Sequence, residues 1–155
     1  MRFFERISLT QAINDGLTPS EWGSIQKPTR STKFSAGYDF YLPRTVVVPP
    51  KKTVIVPSGI RAAMEKDEFL ALYIRSSLGI KKNLRLSNSV GIVDSDYFFA
   101  ENEGHIQIAI HNDGDNHAIL ESGSKIMQGI FQKFLMTNDD KASGKRNGGL
   151  GSTGV

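Results

Sequence analysis

Three stretches of the chain carry residue types that handle phosphate and water. Residues 88–97, NSVGIVDSDY, run apolar Val90, Ile92 and Val93 into Asp94, Ser95 and Asp96. A carboxylate at the end of an apolar strand is partly shielded and held in place, which suits a general base for a water nucleophile, and Asp94 is the candidate. Asp-Ser-Asp also tolerates and caps turns, so a plain hairpin tip is the alternative. Upstream, Arg75, Ser76 and Ser77 follow the apolar run 69–74 and precede LGIKKN. A strand passing into a short helix there would bring backbone N–H groups, hydroxyls and a guanidinium to one point, as an anion such as phosphate requires. A serine cap beside a solvated arginine is the alternative. The final stretch, RNGGLGSTG (146–154), combines glycines with Ser152, Thr153 and Arg146. Glycine lets backbone N–H groups approach phosphate closely, but without Gly-Lys-Ser/Thr this is no Walker A loop, and a flexible tail is the alternative.

Other chemistries are disfavoured. The chain has 155 residues and no cysteine, which removes disulfide scaffolds, thiolate zinc sites and cysteine nucleophiles. His105 and His111 lie six residues apart on one expected strand, roughly 20 Å and too far to share a metal. His117 falls in a turn, and the three histidines read as structural. No Gly-x-Ser-x-Gly elbow occurs. Nineteen Lys and Arg against sixteen Asp and Glu give a net charge of +3, spread along the chain, so no nucleic-acid partner is expected. There is no 18-residue apolar run and the first residues are charged, so neither a membrane nor export is expected, and the location reads as cytoplasmic.

The elements that must position these groups are short. Apolar runs at 45–48, 53–56, 69–74, 104–111 and 126–135 are separated by Pro, Gly and Ser, and glycine is frequent at 15 residues, which reads as all-β. Pro49 and Pro50 must end one strand, and Ser58 with Gly59 marks another break. Ile106, Ile108 and Ile110 alternate with polar or small residues as in a half-buried strand. The runs 69–74 and 126–135 are apolar on both faces, which calls for cover by a second sheet or another subunit. Ser8 and Gln11 form a capping box for a short helix ending at Gly16. Residues 1–137 are expected to form one domain with an N-terminal lead, and 138–155 a mobile, Gly-rich tail.

In sequence order, AGYDFYLP (36–43), RSSLGIK (75–81), NSVGIVDSDY (88–97), GSKIMQGIF (123–131) and RNGGLGSTG (146–154) resemble the five motifs of the trimeric all-β dUTPase family. The lead and DYFFAENEGH are similar to forms from Gram-positive bacteria and their phages. The resemblance implies a jelly-roll-like β barrel with one short helix. It also implies a homotrimer whose sites draw on several subunits, and a last motif that closes over the nucleotide. The implied reaction is hydrolysis of dUTP to dUMP and pyrophosphate, with Asp94 activating water against the α-phosphorus. Arg75, Ser76, Ser77 and Gln128 would hold phosphates, and Arg146, with Lys145 able to share the role, would reach the γ-phosphate. Mg2+ would sit on the phosphates, with Asp39 as an outer-shell partner through water. Asn88, Gly91, Ile92, Val93 and the backbone near Gln107 would read uracil, and Tyr97 would stack on deoxyribose and exclude a ribose 2'-hydroxyl. Leu150, Gly151 and Ser152 would belong to the closing tail, Leu150 standing where the family usually has a phenylalanine over the base. The longer stretch 98–103 offers a surface for a regulatory protein partner. The related dCTP deaminases share the fold, but their third motif carries a catalytic Glu in another context.

Overall fold

The alternation at 107–112 forms a strand with Ile108, Ile110 and Asn112 buried and Gln107, Ala109 and His111 partly exposed. It belongs to an all-β body in the computed structural model, which describes residues 1–146, 148 and 149. The chain runs through β1 (Phe3–Arg6), α1 (Leu9–Asn14), α2 (Pro19–Ser24), β2 (Thr29–Arg30), β3 (Tyr38–Tyr41), β4 (Val46–Val48), β5 (Thr53–Pro57) and β6 (Ile60–Ala63). It continues with β7 (Glu68–Ile74), α3 (Ser76–Lys82), β8 (Leu84–Leu86), β9 (Gly91–Asp94), a 3-10 turn (Ser95–Phe99), β10 (Gln107–Asn112), β11 (Ala118–Leu120) and β12 (Lys125–Lys133).

Antiparallel pairing gives a five-stranded sheet ordered β2-β3-β12-β7-β9, a three-stranded sheet β5-β10-β8, and the pairs β1-β6 and β4-β11. Phe40, Leu70, Leu84, Ile108, Ile110, Ile126 and Met127 fill the core between them. Gly129 permits β12 to lie close there, since a Cβ would stand 2.9 Å from Leu70 Cδ1. As the missing donors of Pro49 and Pro50 require, β4 stops at Val48. Ser58 and Gly59 separate β5 from β6, with Gly59 at φ +72° and no room for a Cβ beside Ile25.

Successive Leu70, Ala71 and Leu72 are all buried, so β7 is covered on both faces within one chain. The run 126–135 behaves differently: Ile126 and Met127 are buried, but Leu135 is 98% exposed, and Met136 just beyond the run is 69% exposed. Among the described residues there are three short helices and a 3-10 turn. Ser8 Oγ accepts from Gln11 N–H, but the Gln11 side chain turns to Asp15 instead of closing the box. The complete capping box is Thr18 with Glu21, and with Pro19 in the first turn it starts α2. β1 pairs with β6, while Ile7, Ala12 and Leu17 form a small second core against Trp22 and Ile25, so the lead is packed on the body.

Candidate active site

β9 sits at the edge of the larger sheet, where Gly91, Ile92, Val93 and Asp94 pair with Leu72, Ala71, Leu70 and Phe69. Between it and β10 opens a cleft of about 780 Å³ including its mouth, walled by Leu72, Leu86, Ile106, Ile108 and Met127. Asn88, Gly91, Ile92, Val93, Asp94, Tyr97, Gln107 and Arg146 all line it. A Cβ at Gly91 would come 3.1 Å from Leu72 Cβ, so glycine keeps this wall open. Asp94, Ser95 and Asp96 are not a hairpin tip, because the chain leaves β9 directly into the 3-10 turn. Asp94 occupies the capping position of that turn in an extended conformation, yet its side chain makes no capping hydrogen bond. The carboxylate is therefore directed elsewhere.

Its partner is Arg146, which donates from Nη2 to Asp94 and from Nε to Asp96 at 2.8 Å. The same guanidinium lies 5.9 Å from the Tyr97 ring centre, and Gly149 lies so near that ring that a Cβ would stand 2.9 Å from Tyr97 Cζ. Arg146 and Gly149 thus line the cleft of their own chain. The Tyr97 hydroxyl donates to the His105 carbonyl and accepts from Asn102 Nδ2, both at 2.8 Å. Burial pushes its phenol pKa up by more than the Asn102 hydrogen bond lowers it. Leu150, Gly151 and Ser152 lie outside the described residues.

A second cluster forms at the other end of β7. Arg75 takes the capping position of α3, followed by exposed Ser76 and Ser77, and no side chain caps the helix, so a serine cap is not formed. Asp39, 6% exposed, accepts from Lys125 Nζ at 2.8 Å and Ser31 Oγ at 2.7 Å, and its Oδ1 stands 3.5 Å from Arg75 Nε. Burial pushes the Asp39 carboxyl up, but Lys125, Ser31 and the Arg75 charge outweigh it and hold the pKa below its ordinary value. Gln128 faces Asp39 across the β3–β12 ladder and packs over Gly37, where a Cβ would meet its Oε1 at 2.3 Å. Arg75 lies six residues beyond Phe69, the partner of Asp94, a separation of roughly 20 Å along β7. One chain therefore brings together the residues expected around base, sugar and water, with Arg146 among them, and separately Arg75, Ser76, Ser77 and Gln128, expected around phosphate.

Among the described residues no group of three or more His, Asp or Glu is placed to hold a metal. Asp39 already faces two cations and a hydroxyl, a donor set that anchors Arg75 and Lys125. Sequence reasoning missed Lys125 and Ser31 as members of this cluster, although Lys125 falls within GSKIMQGIF. It also missed the apolar walls Leu72, Leu86 and Ile108, whose pattern marks only burial.

The fold and the cleft define a small all-β protein with a largely apolar cleft that has Asp94 in its wall. The chain belongs to the dUTPase family, whose model matches residues 24–154. It is 42% identical over 134 residues to the deoxyuridine 5'-triphosphate nucleotidohydrolase of Lactococcus lactis, covering 84% of this chain and 89% of that protein. It is 33% identical to the protein of the same name from Escherichia coli O45:K1, over 89% of this chain and 93% of that one. The dUTPase structure from Streptococcus mutans superposes with a TM-score of 0.72 at 36% identity, covering 87% of this chain and 98% of that one. The dUTPase of the Staphylococcus aureus phage phi11 shares the fold alone, with a TM-score of 0.70 at 16% identity over 93% and 97% of the two chains. The similarity to Gram-positive forms thus holds, and no described helix is long and apolar enough to cross a membrane.

Proposed function

We propose that the protein hydrolyses dUTP to dUMP and pyrophosphate in the cytoplasm, at sites completed between subunits of a homotrimer. The carrying observation is the cleft that gathers Asn88, Gly91, Tyr97, Gln107 and Asp94 in a chain of the dUTPase family. Asn88 and the backbone of β9 and β10 offer hydrogen bonds to the polar edge of uracil, and a mismatched base would leave buried groups unpaired. Asp94 takes a proton from water, the water oxygen attacks the α-phosphorus, and the bond to the bridging oxygen breaks to release pyrophosphate. In the conformation described, Asp94 is paired with Arg146, so catalysis requires that guanidinium to leave the carboxylate for a phosphate.

The separation of Arg75 from Asp94 supports a shared site: the phosphate cluster of one subunit faces the cleft of another. The uncovered Leu135 and Met136 are suited to burial against a neighbouring subunit. Magnesium, held mainly by phosphate oxygens and water, would supply charge neutralisation, with Asp39 in at most an outer-shell role behind Arg75. Residues 138–155 would act as the closing tail, with Leu150, Gly151 and Ser152 over the nucleotide.

A second role as a docking surface for a regulatory protein is favoured by Phe99, 84% exposed at the end of the 3-10 turn. Unchanged partner capture by Phe99→Ser would remove it. The test of the main reading is pyrophosphate release from dUTP, dCTP, dTTP and UTP with magnesium. Turnover confined to dUTP is expected, whereas ammonia release from dCTP would place the chain with the deaminases.

A further inference from the structure

The N-terminal lead reaches the sugar side of the cleft through one buried histidine. His105 is 0% exposed, and its Nε2 accepts the Gly59 backbone N–H at 2.8 Å. A backbone amide can only donate, so Nε2 carries the lone pair and the proton resides on Nδ1. Nδ1–H then donates to Asp15 Oδ2 at 2.5 Å, and Gln107 Nε2 lies 3.0 Å from the same Nδ1. Asp15 is itself fixed at the end of α1 by Gln11 Nε2 at 2.8 Å. The His105 carbonyl receives the Tyr97 hydroxyl. Beside it, Ser8 donates its N–H and its hydroxyl to Glu103 at 2.8 and 2.6 Å. Gly104, at φ +70°, leaves no space over Tyr97, since a Cβ there would stand 2.5 Å from the Tyr97 carbonyl oxygen.

We infer that Asp15 is a positioning residue for sugar discrimination, acting through His105 to fix the tilt of the Tyr97 ring in the cleft. The inference rests on the dUTP reading above and adds residues outside the segment 24–154 that the family model matches. Tyr97 lines the cleft while its hydroxyl is committed to the His105 carbonyl and to Asn102, so a shift at His105 moves the ring that lies beside the sugar. Asp94 does not take part in this network. The consequence is a loss of selectivity with the chemical step preserved.

The experiment measures kcat and KM for dUTP and UTP in wild type, Asp15→Ala and Asp15→Asn, with thermal melting as a check on folding. Asp15→Ala should lower the dUTP-over-UTP ratio of kcat/KM about tenfold, mostly through KM for dUTP, with kcat for dUTP within about twofold. Asp15→Asn keeps an oxygen acceptor for Nδ1–H and should restore the ratio to within about threefold of wild type. A folded Asp15→Ala with an unchanged ratio overturns the inference, as does a kcat loss with the ratio intact. Should Asp15→Ala not fold, Tyr97→Phe, which releases the hydroxyl from His105, carries the test: a lowered ratio supports the inference and an unchanged ratio overturns it. A wild type inert towards dUTP overturns the functional reading instead, and the inference with it.

Discussion

The cleft beside β9 and the cluster around Arg75 stand at opposite ends of the same strand, and they differ in what one chain supplies. The cleft is walled by core side chains such as Leu72 and Ile108, so its shape is set by the packing that folds the protein. The cluster is a short helix start and a ladder position, held by one buried carboxylate and its cations. The contrast sets a cavity walled by packed interior side chains against charged groups at the margin of the same chain. Such margins can meet a neighbour's cleft and can also be reached by a tail.

The strongest way to break this division is at Asp94. Asp94→Asn keeps size and polarity and removes the base, so kcat should fall by roughly 10²- to 10⁴-fold while dUTP binding measured by calorimetry persists. Loss of binding in step with activity would instead make Asp94 part of recognition.

The next test joins the two regions. Arg75→Ala and Asp94→Asn subunits should each be poorly active alone. Unfolded and reassembled at equal amounts, they should regain about a quarter of wild-type activity, the statistical share of sites that pair an intact cleft with an intact cluster. No recovery in verified mixed trimers would place both groups in one subunit's site.

The cleft is sharpened by Gly91→Ala. A methyl 3.1 Å from Leu72 Cβ must push that wall, and overpacking of this kind costs roughly 1–3 kcal/mol. Affinity for dUTP should fall about tenfold with kcat less affected, read from steady-state kinetics beside a melting curve.

How much of this the sequence carried follows the same division. The strand ends at Val48 and Asp94 and the alternation at 107–112 were legible because period and proline act locally. Asn88, Gly91, Asp94 and Tyr97 were legible as motif members, whereas the apolar walls Leu72, Leu86 and Ile108 were not. The separation of Arg75 from Asp94 was not legible, because it depends on which strands pair and in which register, and nothing in 69–97 alone fixes that. The Asp15–His105 contact was equally hidden, since it joins residues 90 apart through packing. The Thr18–Glu21 box was present in the sequence and went unread, whereas the Ser8–Gln11 box was read but only half forms, because Asp15 and Glu103 compete for its groups.

The smallest effect separates the two regions by pH. Burial lowers the His105 pKa by more than the Asp15 pair raises it, so folding favours the neutral ring. Above an unfolded pKa of about 6.5 both states are neutral and this group gives no pH dependence. As the pH falls below that, the unfolded chain takes up a proton that the folded chain refuses. Stability should then drop by at most about 1.4 kcal/mol per pH unit for this one group until the folded pKa is reached. Asp39 on the phosphate side is lowered too, but as an acid: its contribution is full above an unfolded pKa of about 3.9 and is lost as the pH falls from there through the folded value. Urea unfolding between pH 7 and 5 should therefore report the cleft side, and His105→Gln should flatten the slope over that range. Asp39→Asn should leave that slope unchanged and alter the profile only below about pH 4. An equal slope in His105→Gln and wild type would mean that burial does not hold the ring neutral over that range.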